Sequence, residues 1–142
     1  MGVDVIDAGT PGLDLVSFLG GRRAAIIVDS VRDRGAPGSI HVYDKQALLE
    51  KRAQLRMGPH EPALKDTLLA LEFAGQAPEQ VIFVGVIPES VRTGARLSAA
   101  VQAAAPLAAE EVVRQIAALG IELSPREPKA RPAIWWEAPS CV

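Results

Sequence analysis

An open α/β sheet, mostly parallel and twisted, with helices on both faces is the fold this sequence predicts. Three observations carry it. Two continuous apolar runs, Ala24-Ala25-Ile26-Ile27-Val28 and Val81-Ile82-Phe83-Val84-Gly85-Val86-Ile87, have the pattern of strands covered on both faces. Segments with apolar residues at helical spacing separate and follow these runs. Glycine and proline punctuate nearly every junction. Such alternation stacks helix on sheet on helix, a three-layer sandwich.

The elements follow in order. Val3-Asp4-Val5-Ile6-Asp7 reads as a short strand ending in the turn Ala8-Gly9-Thr10-Pro11-Gly12. Leu13 to Leu19 is a helix with Leu15, Phe18 and Leu19 on one face, stopped by Gly20-Gly21. The first apolar run ends at Asp29, and polar turn chemistry fills 32–38. Ser39-Ile40-His41-Val42-Tyr43 alternates, as a half-exposed or edge strand does, and can run antiparallel. Lys45 to Gly58 is charged and undecided between surface helix and loop. Pro62 sits in the first turn of the next helix, which carries Leu64, Leu68 and Leu71 on one side. After the second apolar run, Ser98 caps a last helical region with Val101, Leu107, Val112, Val113, Ile116 and Leu119 along an apolar side. Pro106 is expected to kink or split it, and Gly120 to end it. The reading is one α/β domain over 1–123 and a Pro-rich tail over 124–142.

Composition narrows the function classes. The 142 residues include 15 basic and 17 acidic side chains, a net charge of −2, which gives no electrostatic case for nucleic acid. The single Cys141 has no internal disulfide partner and suits a reducing compartment. The longest uncharged stretch, Leu97 to Ala109, is too short to span a bilayer, and no secretory signal opens the chain, so a cytoplasmic protein is expected.

In open α/β sheets ligands gather at the carboxyl ends of the strands. That rule singles out Asp7-Ala8-Gly9-Thr10, Asp29-Ser30 and the loop after Ile87. Asp29, directly after five apolar residues, is either a cap or a site carboxylate. His60 stands where a helix begins, and the positive end of a helix dipole keeps an imidazole neutral and able to ligate metal; a solvated loop histidine is the plainer alternative. His41, in the alternating strand, is expected at the surface. A carboxylate and an imidazole make half a first-row metal site. The glycine loop is neither a phosphate-binding loop nor a three-glycine dinucleotide fingerprint. No Gly-x-Ser-x-Gly elbow occurs, Cys141 has no nearby histidine, and Trp135-Trp136 is an aromatic pair in the tail.

In their order and spacing these pieces resemble the hydrogenase maturation proteases. The stretches that carry the resemblance include Asp7-Ala8-Gly9-Thr10-Pro11-Gly12, Ile26-Ile27-Val28-Asp29-Ser30-Val31, Gly58-Pro59-His60-Glu61 and Phe83-Val84-Gly85-Val86-Ile87-Pro88-Glu89. Roughly residues 3–120 are covered. The resemblance implies an endopeptidase that trims the C-terminal extension from the large-subunit precursor of a nickel–iron hydrogenase. It implies that Asp29 and His60 contact a divalent metal and act in catalysis, with Gly9 and Thr10 shaping the substrate cleft. The metal is expected to be nickel, supplied by the precursor, with another divalent ion able to stand in for it in vitro. The family's first strand and helix, which carry an acidic third ligand, have no counterpart here, so a start upstream of Met1 is expected. The alternative is a non-catalytic hydrogenase-assembly or binding protein derived from that protease. A different α/β hydrolase or a nucleotide-binding module is weaker, lacking the phosphate loop.

Overall fold

The structure, a computed structural model, describes residues 2–9, 14–50, 61–92 and 96–125. After helix α1 (Leu15–Leu19), strand β1 (Ala24–Ser30) leads by a turn to strand β2 (Ile40–Asp44). Helices α2 (Lys45–Glu50) and α3 (Glu61–Phe73) then precede strand β3 (Gln80–Val86) and the long helix α4 (Ala99–Ala118). The strand order is β1-β3-β2, so β3 is central. It pairs parallel with β1, from Ala24 opposite Gln80 to Ser30 opposite Val86, and antiparallel with β2, from Ile40 opposite Val86 to Asp44 opposite Ile82. The sheet is therefore mixed rather than mostly parallel among the described residues, and the alternating segment is its antiparallel edge, as its pattern suggested.

Period-two alternation assigns the faces. Ala25, Ile27, Val81, Phe83 and Tyr43 share one face and join a core cluster with Leu19 of α1, Leu48 of α2, and Leu64, Leu68 and Leu71 of α3. Helix α4 packs on β3 and β1 and buries Ala104, Ala108 and Ile116 apart from that cluster. Helices thus stand on both faces of the sheet, as expected for a three-layer sandwich.

Local chemistry explains the element ends. At Gly21 the chain adopts φ of +69°, open to glycine, and α1 stops there. The Ser98 hydroxyl accepts the Val101 N–H at 3.4 Å and starts α4. Gly120, at φ of +78°, donates to the Ala117 carbonyl and ends it.

Four sequence expectations are corrected. Residues 3–7 form no strand; no ladder joins them to the sheet. β1 is not covered on both faces: Ala24 to Ile27 are only half-buried, and Val28 is 53% exposed. Pro106 neither kinks nor splits the last helix into two, because it lies on the water side, where solvent can take the carbonyl its missing N–H leaves unpaired. The apolar side of α4 is narrower than its sequence suggests. Ala104 and Ala108 face inward at a four-residue spacing, while Leu107 and Val113 are exposed.

Candidate functional site

β1 and β3 run parallel, so their carboxyl ends lie at one edge of the sheet, where an open α/β fold collects ligands. At that end Asp29 stands opposite Gly85, and Gly85 stands opposite His41 on the other side. Gly85 cannot be larger: a Cβ there would sit 2.6 Å from Val31 Cγ1. The central strand is therefore smooth at this level, and the flanking strands carry the polar groups.

The Asp29 side chain is exposed. Its Oδ1 accepts the Ser30 backbone N–H at 2.6 Å, and its other oxygen has no partner among the described residues. Alternation puts Asp29 on the face shared by Ile27 and Phe83, the face that α3 covers. Asp29 lines a cavity of about 910 Å³ whose opposite side is formed by Gly2 to Gly9. Leu64, in the first turns of α3, lines the same cavity.

Gly9 is brought to this cavity too. Its φ of +59° is a left-handed conformation, and its N–H donates to Asp7 Oδ1 at 3.0 Å, an Asx-type turn that also brings Asp7 to the wall. Sequence reasoning had noted Asp7 only as part of the loop; its position two residues before a glycine was the available signal. Thr10 and His60 lie outside the described residues. So do Trp135, Trp136 and Cys141 of the tail. Helix α3 begins one residue after His60.

A second polar group forms at the opposite edge. The Tyr43 hydroxyl donates to Asp33 Oδ2 at 2.5 Å, and His41 Nδ1 lies 4.0 Å from the same oxygen. The His41 and Tyr43 rings stack with centroids 6.2 Å apart. Burial first, then the hydrogen bond to Asp33 and its negative charge, push the Tyr43 phenol well above its usual range. His41 is thus partly covered rather than simply at the surface. The trio ties the 31–39 loop to the edge strand.

Among the described residues no group of three or more His, Cys, Asp or Glu is arranged to hold a metal ion. No helix among them is long and apolar enough to cross a membrane.

Comparison with known proteins agrees with this geometry. Residues 1–115 match the family of HycI, hydrogenase maturation protease. The chain is 33% identical over 126 residues to the hydrogenase 2 maturation protease of Escherichia coli (strain K12), covering 88% of this chain and 76% of that protein. It is 28% identical to the hydrogenase expression/formation protein HupD of Rhizobium leguminosarum bv. viciae, of which it spans 62%. Among solved structures, the hydrogenase maturating endopeptidase HybD from E. coli superposes with a TM-score of 0.74 at 33% identity, over 84% of this chain and 74% of that one. An apolar parallel pair ending in Asp29, with α3 on the same face, is therefore shared architecture. The chain belongs to the hydrogenase maturation protease family, a family of endopeptidases.

Proposed function

We propose that this protein removes the C-terminal extension from a nickel–iron hydrogenase large-subunit precursor after nickel has been inserted. The observation that carries the reading is Asp29: an exposed carboxylate with one unpartnered oxygen, at the carboxyl end of β1 and on the wall of the largest described cavity. Family membership says which peptide bond-breaking chemistry to look for there.

The donor set suits a metal that arrives with the substrate. From the described residues the site offers one free carboxylate oxygen rather than a closed cage, so a nickel ion already held by the precursor can accept it as an added contact. In this reading Asp29 is the main contact and the base, and His60, preceding α3, is the second contact. Gly9 and Thr10 shape the cleft that receives the extended peptide. A metal so placed polarises the scissile carbonyl or activates water. The expected setting is cytoplasmic, and another divalent ion can occupy the same contacts in vitro.

The test is intact-mass measurement of precursor incubated with the protein. Nickel-loaded precursor should be shortened by the mass of its extension, and nickel-free precursor should stay whole. Retention of both precursors on the immobilised protein, with neither shortened, would favour the alternative, a non-catalytic hydrogenase-assembly protein.

A further inference from the structure

The cavity beside β1 is longer and more apolar than a peptide-bond site needs. It is a slot. Six consecutive residues, Ala24 to Asp29, form one long side, and eight consecutive residues, Gly2 to Gly9, form the other. Among the described residues β1 bonds to β3 alone, and no backbone hydrogen bond links 2–9 to the sheet. Leu15 and Leu19 of α1 with Leu64 of α3 close one face of the slot, and Val112 and Ile116 of α4 close the other. Val5 and Val28 are left 95% and 53% exposed.

Water fills such a space poorly. The walls are apolar, and the outer edge of β1 offers a row of peptide groups that want hydrogen-bond partners. Adjacent strands lie about 4.8 Å apart, so a slot flanked by two chain segments and roofed by helices has the section of one strand.

We propose that this slot seats one further β-strand, an apolar segment of about seven residues lying parallel to β1 and contributed by the same polypeptide upstream of Val3. Interior strands covered on both faces read as near-continuous apolar runs in parallel sheets, and the occupant is expected to do the same. Direction follows from the anchor of the far wall. Asp4 pairs with Arg22 Nη1 at 2.5 Å, just before β1 starts, so the early part of 2–9 lies at the amino end of the slot.

The source follows from enclosure. A separate peptide or a second copy adds to an exposed sheet edge, whereas this position is walled on both edges and both faces. A parallel neighbour also needs a crossover of about a dozen residues before Val3. The E. coli relative has room for that, since 24% of its length lies outside the match (100% less the 76% covered). The strand's carboxyl end would emerge beside Asp29, so its last residues add a wall to the candidate site. The inference concerns the fold and stands or falls apart from the cleavage reading.

Amide hydrogen exchange on two chains tests it: residues 1–142, and the same chain extended by the in-frame codons that precede Met1 in its gene. In the extended chain, the β1 amides that do not bond β3 should exchange at least about a hundred-fold more slowly relative to β3 amides than they do in 1–142. Three results would overturn the proposal. One is a stop codon directly before Met1. Another is β1 exchange unchanged by the extension, or a lower urea midpoint for the extended chain. The third is protection of β1 in chain 1–142 that appears with dimerisation, which gives the slot to a second copy.

Discussion

Ala24-Ala25-Ile26-Ile27-Val28 and Val81-Ile82-Phe83-Val84 lie side by side in register, and their sequences are nearly interchangeable in character. Their surroundings are not. Val81, Phe83 and Val84 are fully buried between β1 and β2, with helices on both faces. Opposite Val84, Val28 is half in water, and one residue later Asp29 is exposed on the cavity wall. Apolar sequence alone does not bury a strand; a neighbour on each edge does. β3 carries the fold, and the open flank of β1 carries the candidate site.

Substitutions at matched positions sharpen that contrast. Phe83→Ala should cost about 3–5 kcal/mol in urea unfolding, because it empties a fully buried site, while Val28→Ala in chain 1–142 should cost less than about 1 kcal/mol. Equal losses would break the comparison. Gly85→Ala should cost about 1–3 kcal/mol, since its Cβ must displace the Val31 side chain from 2.6 Å. A Gly85→Ala protein as stable as the wild type would mean that β3 is loosely packed at the level of the site.

The smallest expected effect lies at the far edge. Tyr43→Phe deletes the hydrogen bond to Asp33 and should cost about 1 kcal/mol near neutral pH. The sign of its pH dependence follows from the raised phenol. A group held protonated in the fold contributes fully below its unfolded value, about 10 for tyrosine, and that contribution fades as pH rises beyond it. Stability of the wild type should therefore fall more steeply above that pH than stability of Tyr43→Phe, as read from urea midpoints across the alkaline range. Parallel curves would mean the hydroxyl titrates freely.

What was legible in the sequence was local. Apolar runs, the Gly20-Gly21 stop, the Ser98 cap and the Leu64/Leu68/Leu71 stripe fix elements through neighbours a few residues away, and each element formed where its pattern lies. Coverage of β1 was not legible, because it depends on what occupies the next position in the sheet. Residues 3–7 have strand chemistry but no ladder to join for the same reason. In α4 the inward positions went to Ala104 and Ala108, whose small side chains let the helix approach the sheet, and the larger Leu107 and Val113 turned outward. Hydrophobicity counts favour the larger residues, so they misjudged that stripe. Of the candidate site, the strand-end rule found Asp29 and Gly9, which share one cavity; Thr10 and His60 lie outside the described residues.

The claim that the open end of β1 is the chemical end of the molecule turns on one carboxylate. Asp29→Asn keeps the shape and the acceptor for the Ser30 N–H while removing the charge. The deciding measurement is the initial rate at which the wild type and Asp29→Asn shorten nickel-loaded precursor, followed by intact mass, with unfolding midpoints matched. The account predicts a loss of at least about a hundred-fold for Asp29→Asn, the scale on which a positioned acid–base group contributes. Shortening at the wild-type rate would contradict it.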